Sequence, residues 1–221
     1  MDVSEVDVLA HMSFPARRRS SRAPPAESGE QEAGLVEPIR HGTKGDMIMN
    51  SPVTIRRAVY ADAPSLPAIE NSAGTLFREL PDLAWLADGE DLPVSRYREL
   101  IAGGASWLAE CERNPVGFLC ASVEGDALHV WEFGVLRERQ GQGIGGALLK
   151  AAVMAARRLR LAAVTLTTFR NVAWNAPFYA RSGFRIVDGT AIGTRLAERL
   201  RQDAERGLPS EPRCAMCLAL R

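Results

Sequence analysis

Residues 51–221 read as one α/β (α+β) domain, behind a tail that covers residues 1–50. Three observations lead there. Strand-like β-branched and aromatic runs alternate with helical periodicities from Val53 onward. A glycine-rich loop joins one of those strands to an amphipathic helix. Before residue 50 the chain is rich in Arg, Ser, Pro, Glu and Gly and shows no apolar period. Such a stretch buries too little surface to offset its ordering entropy, so it reads as disordered. Met47 and Met49 fall where ordered sequence begins, and a translation start there would make the tail an artefact of a mis-assigned start.

The elements follow in order. Val53 to Ala58 has a strand pattern, and Asp62-Ala63-Pro64 signals a helix start with Asp62 as N-cap. Leu66, Ile69 and Ala73 keep helical spacing, while 76–91 is irregular and a second helix covers Val94 to Ile101. Strands at 106–110 and 116–123 flank the turn-like Glu112-Arg113-Asn114-Pro115. The strand Ala127 to Val135 leads through the glycine loop into a helix that packs Ala147, Leu148, Ala151, Ala152, Ala155 and Leu159. A strand at 163–169, a short helix near 177–181, a strand at 184–187, a helix at 191–205 and a terminal strand complete the domain.

Composition removes several function classes. The 221 residues hold 27 basic and 27 acidic side chains, so no field of one sign argues for a nucleic acid or an anionic membrane as partner. No apolar run reaches the ~18–20 residues of a membrane span. Arg17-Arg18-Arg19 is followed by Ala23-Pro24-Pro25 where an export signal needs an apolar core, and Asp2, Glu5 and Asp7 disfavour a transit peptide. A cytoplasmic protein is the expectation. Cys214 and Cys217 form C-x-x-C, but an odd separation on a strand aims the sulfurs at opposite faces, so the pair reads as structural. The three histidines are scattered and no carboxylates have ligand spacing, so no metal is expected.

The loop Gln140-Gly141-Gln142-Gly143-Ile144-Gly145-Gly146 carries the chemistry. Without a Cβ, successive N–H groups can converge on one anion, and the helix start adds its positive dipole end. No Lys-Ser/Thr pair follows Gly146, which excludes a Walker loop. The dinucleotide pattern G-x-G-x-x-G is met formally, but Leu136 to Arg139 separates it from its strand and the next strand offers no ribose-binding acid.

At these residues the sequence resembles the GNAT superfamily of N-acetyltransferases. Gln140, Gly143 and Gly145 match the family's Q/R-x-x-G-x-G/A loop, and 171–184 resembles its Asn…Phe-Tyr-x-x-x-Gly-Phe segment. The clear resemblance covers about Leu128 to Val187. It implies the GNAT fold: a mixed, mostly antiparallel central sheet, flanked by helices and splayed between its fourth and fifth strands. Acetyl-CoA as co-substrate would lie in that gap, against the backbone of Phe133, Gly134 and Val135, with its pyrophosphate on the loop from Gln140 to Gly146. Asn171, Asn175 and Phe178 belong to the segment beside the pantetheine arm. The family's Asn-to-Tyr spacing fits neither asparagine cleanly, so both stand as candidates.

Acetyl transfer requires a cationic amine to lose a proton and a thiolate to leave as a thiol. The resemblance places Tyr179 beside the sulfur as general acid, and a phenol's reference pKa of about 10 suits that step. Glu132 lies inside an apolar strand between Trp131 and Phe133, a costly position unless it lines a cavity or is paired, and it is the candidate base. His129 is the weaker candidate; it precedes Glu132 by three and faces the other way unless a bulge intervenes. The family delivers the acceptor across the first helices, here Phe77, Glu79, Asp82 and Trp85, with Asp88, Glu90 and Asp91 beyond and Trp174 closing the far side. Aromatics beside acids suit a cationic amine. The acceptor is a small-molecule amine or a protein amine. A sensor that binds acetyl-CoA without turnover is the rival class, and a homodimer is consistent with the family.

Overall fold

The computed structural model describes residues 52–89, 92–205, 207–208 and 212–220. The expected tail at 1–50, and Glu90 and Asp91, lie outside the described residues. Seven strands, β1 (Val53–Arg57), β2 (Ala105–Cys111), β3 (Asn114–Glu124), β4 (Ala127–Val135), β5 (Ala163–Phe169), β6 (Arg185–Val187) and β7 (Arg213–Ala219), form one sheet in the order β1-β2-β3-β4-β5-β7-β6. Only β4 and β5 run parallel. Their pairing covers Ala127↔Ala163, Leu128↔Val164 and His129↔Thr165, and the two strands then part. The splayed mixed sheet expected from the family resemblance is therefore the architecture observed.

Among the described residues five α-helices flank it: α1 (Leu66–Gly74), α2 (Val94–Ala102), α3 (Ile144–Arg158), α4 (Ala176–Arg181) and α5 (Gly193–Glu205). α3 lays Leu148, Leu149, Ala152 and Ala156 on Leu119, Leu128, Val130, Phe133 and Val135 of one sheet face. On the other face α1 and α2 bury Leu66, Ile69, Tyr97 and Leu100 against Leu108, Phe118 and Trp131. A smaller cluster gathers Leu76, Phe77, Leu83 and Leu86 around Phe169 and Trp174.

The sequence expectations need five local corrections, one being that Ala147 and Leu159, expected on the packed face of the helix after the glycine loop, are exposed. The first helix begins at Leu66 behind a 3-10 turn, Tyr60–Ser65, and Asp62 caps that turn by accepting from the Val59 N–H at 2.7 Å. Residues 76–91 are less irregular than expected, since Thr75–Glu79 and Ala84–Asp88 are 3-10 segments. The β2–β3 turn is only Glu112-Arg113, with φ of 50° and 67°, the left-handed pair that matches the twist of a tight hairpin. The expected helix at 191–205 starts at Gly193, after a 3-10 segment Gly189–Ile192. Cys214 and Cys217 lie on β7 as free thiols, the first buried and the second half-buried.

Candidate active site

Strand β4 is buried along its whole length, and its faces are set by a bulge. In the pairing with β3, Cys120 opposes Glu132 and Ala121 opposes Val130, so Trp131 is the extra residue. His129 opposes Ser122, two residues from Cys120, which puts His129 and Glu132 on the same face. This corrects the opposite-face expectation for a regular strand. His129 is fully buried, its Nδ1 is 3.0 Å from the Thr165 Oγ1, and its ring packs edge-on to Trp131 at 4.9 Å. It holds the fork where β4 and β5 part.

Glu132 is 1% exposed and faces α1 and α2 beside Cys120. The sequence reading missed its neighbour Glu70, which is also buried and takes a hydrogen bond from the Tyr97 hydroxyl. Burial pushes the Cys120 thiol up to about 12, and the nearby Glu132 and Glu70 carboxylates add to the shift against a hydrogen bond with Ser106. Two carboxylates thus act on one buried spot. A signal for Glu70 was present: it follows Leu66 by four and precedes Ala73 by three, so it occupies the buried stripe of its helix. A Cβ on Gly134 would press on the Phe118 ring at 3.3 Å and would meet α1 in ordinary contact, 3.8 Å from the Glu70 Cα.

Phe133 and Val135 face α3 instead. Phe133 lies 6.4 Å from the ring of Tyr179 and 6.1 Å from that of Phe178. Tyr179 is carried by α4, whose N-cap is the buried Asn175; the Asn175 carbonyl accepts from the N–H groups of Phe178 and Tyr179. The Tyr179 ring is fully buried, and its hydroxyl has no hydrogen-bond partner among the described residues. Burial holds its pKa well above the ordinary phenol value, with the positive charge of Arg213 working the other way. Asn171 lies elsewhere: it is exposed and borders a cavity of about 410 Å³ together with Leu80, Asp82 and Leu83.

The glycine loop has the geometry of an anion seat. Gly141 and Gly143 both have φ of 76°, and Gly143 is the N-cap of α3. The buried Ile144 pins the helix start, and no acid occupies its first turn. The Gln140 side chain donates to the Val135 carbonyl at 3.0 Å and so ties the loop to the end of β4. Gln142 is exposed and donates to the Glu138 carbonyl at 3.3 Å. A Cβ on Gly146 would meet nothing within 4 Å. Gly146→Ala is therefore expected to raise stability by about 0.5–1 kcal/mol, because helical Gly costs that much relative to Ala. If the space above Gly146 seats a phosphate, the same variant weakens coenzyme A binding; a thermal melt and a coenzyme A titration read the two effects separately.

The candidate acceptor residues divide. Phe77 and Trp174 come together at 6.1 Å but in the apolar cluster, where Phe77 also packs on Phe169 at 5.5 Å. Trp85 is partly buried against that cluster. Glu79 and Asp82 are exposed, and Glu79 pairs with Arg137 at 3.2 Å, linking this segment to the turn before the glycine loop.

The comparisons agree with this layout. A family model described as "Acetyltransferase (GNAT) domain" matches residues 102–186. Among solved structures, Rv2747 from Mycobacterium tuberculosis, in complex with CoA and NLQ, is 22% identical with a TM-score of 0.54, over 76% of this chain and 99% of that one. The ribosomal-protein-S18-alanine N-acetyltransferase of Escherichia coli is 16% identical with a TM-score of 0.55, over 76% and 94%. N-acetylglutamate synthase from Neisseria gonorrhoeae, complexed with coenzyme A and N-acetyl-glutamate, is 16% identical with a TM-score of 0.57, over 78% of this chain and 36% of that one. At these identities the structural likeness is one of fold.

Proposed function

Because the GNAT acetyltransferase family model matches residues 102–186 and the fold is shared with N-acetyltransferases, we propose that the chain is an acetyl-CoA-dependent N-acetyltransferase of the GNAT superfamily that acetylates a primary amine by direct attack in a ternary complex, with Glu132 as general base and Tyr179 as general acid. The observation that carries this reading is the buried Tyr179 hydroxyl, without a hydrogen-bond partner among the described residues, beside the splayed end of β4. A buried polar group left without a partner is uncommon in structural cores and points to a ligand.

Bound acetyl-CoA supplies the activated acyl carbon and the thiolate leaving group. The chain's residues do the rest. The N–H groups at the start of α3 and the adjoining loop, Gln140 to Gly146, hold the pyrophosphate. Backbone groups of Phe133, Gly134 and Val135 take the pantetheine, since β4 has no strand partner on that side beyond His129. Asn175, rather than the exposed Asn171, stands on the cofactor side, together with Phe178.

Glu132 and Tyr179 approach the gap from opposite sheet faces. That separation suits two proton transfers at opposite ends of one reaction. Glu132 accepts the proton that an ammonium acceptor must lose, with Glu70 adding negative potential beside it. A backbone N–H near Gly134 receives the charge that gathers on the acyl oxygen. Tyr179 then delivers its proton to the departing sulfur, and the second proton that the acceptor nitrogen sheds as the amide forms restores the phenol. The acceptor enters over α1 and α2 past Asp82 and Trp85, and two buried carboxylates favour an amine that arrives as a cation.

The test is thiol release from acetyl-CoA across a panel of small amines and amino-terminal peptides. Amine-dependent release supports the transferase reading; tight acetyl-CoA binding without release from any acceptor would replace it with the sensor. In the same assay Glu132→Gln is expected to slow turnover by about 10²-fold at neutral pH. The deficit should shrink as pH rises toward the pKa of the acceptor amine, where no base is needed. A deficit that is flat with pH would remove Glu132 from the base role.

A further inference from the structure

A second cavity lies away from the cleft between β4 and β5, beneath the C-terminal half of α3. Arg57 on β1 stands directly opposite Trp107 on β2, on the sheet face that α3 covers, and its guanidinium carbon is 4.6 Å from the indole centroid. With Ile55 and Arg56 of β1 and Met154 and Arg158 of α3, this pair borders a space of about 460 Å³. That volume falls within the range of small-ligand sites, about 300–1,000 Å³.

The charge in this space is one-sided. The adjacent Arg56 is held by Asp62 at 2.7 Å and Glu110 at 2.8 Å. Arg56 also borders the cavity, but strand alternation turns its side chain and these two carboxylates toward the opposite sheet face from Arg57, and the carboxylates already serve Arg56. No acidic side chain borders the cavity. Neither Arg57 nor Arg158 has an ion-pair partner among the described residues. Burial pulls the Arg57 pKa below the ordinary guanidinium value, as expected for a cation partly withdrawn from water without a counter-charge. Met154, 43% exposed, leaves a large apolar side chain at the rim.

We propose that this cavity is a binding site for a small amphipathic anion, with a carboxylate or phosphate held between Arg57 and Arg158 and a flat apolar body against Ile55, Trp107 and Met154. Arginine forks recognise such groups bidentately. The site is built from β1, β2 and α3 alone, so it does not depend on the acceptor or on either proton-transfer residue.

The experiment titrates 2-naphthoate into the full chain by calorimetry, with coenzyme A present at saturation so that the catalytic cleft is filled. The uncharged 2-naphthamide is the control for apolar contact alone. Saturable naphthoate binding is expected, with the amide weaker by about tenfold or more, as the loss of a charge-assisted pair implies. Arg57→Ala and Arg158→Ala should each weaken naphthoate binding by about tenfold, on the same ground, while Arg157→Ala leaves it unchanged. Rates of amine acetylation should stay at the wild-type level in all three. No saturable binding to the wild-type chain overturns the site, as does equal affinity for the amide or an unchanged affinity in either cavity variant.

Discussion

Tyr179→Phe is expected to lower kcat for amine-dependent thiol release by about 10²–10⁴-fold, the usual contribution of a positioned acid. The KM for acetyl-CoA should stay nearly constant, because the ring that packs on Phe133, Phe178 and Phe184 is kept. Stability provides an internal control. The hydroxyl has no partner among the described residues, so its removal takes away a desolvated polar group and breaks no bond. The variant should therefore melt at the same temperature as the wild type or higher. A structural tyrosine would behave the other way, with activity kept and stability lost.

The pH dependence of the same residue has a definite sign. Burial raises the Tyr179 pKa above the phenol reference, so in the folded protein the proton stays on oxygen throughout the neutral range. The residue's contribution to stability is complete below about pH 10, where the unfolded phenol is also protonated. Above that the unfolded state ionises first, and the contribution is lost as pH rises toward the folded value. Tyr179→Phe removes this dependence, so the gap between the urea midpoints of the two proteins should change with pH only in alkali. Wild-type activity in the variant would end the general-acid assignment.

The second large effect concerns the fold. Asp203→Ala is expected to destabilise the domain by about 3–5 kcal/mol, the cost of leaving a buried charge without its partner. Arg213 and Asp203 meet at 2.6 Å with side chains 2% and 4% exposed. Thr167 completes the group, donating to Asp203 at 3.1 Å and accepting from Arg213 at 3.0 Å. This cluster joins α5 to β7 and β5. Removing the carboxylate strands a guanidinium in the interior, packed 4.9 Å over the Phe169 ring. The double variant Asp203→Ala with Arg213→Met should recover much of the loss, since apolar replacements of buried pairs are often neutral or better. Denaturant unfolding reads both; a loss under about 1 kcal/mol for the single variant would mean that water already reaches the pair.

Much of the sheet was legible from local signals. β4 and β5 were bounded correctly, since both are dense in β-branched and aromatic residues and end at turns or glycines. The glycine loop was legible because left-handed residues at Gly141 and Gly143 leave a compositional trace. What escaped was long-range. The Trp131 bulge exists only in relation to β3, and nothing within β4 announces it. The burial of Phe77 and Trp174 depends on Phe169 from a distant strand, so residues read as an acceptor wall lie largely in a core cluster. The pairing of Asp203 with Arg213 has no local signature, because it arises only when α5 folds back on β7.

The bulge at Trp131 means that β4 keeps two different ledgers of in and out. Upstream, the even-numbered Leu128 and Val130 belong to the α3 side; downstream that ownership passes to the odd-numbered Phe133 and Val135. Substitution tolerance along the strand should therefore change phase at a single position. Deleting Trp131 would restore a uniform rhythm and leave Glu132 opposite Cys120, whereas the full strand without its bulge would turn the Glu132 carboxylate into the packed interface under α3. The bulge, not the local sequence, decides whether this acid looks toward α1 and α2 or into the core under α3.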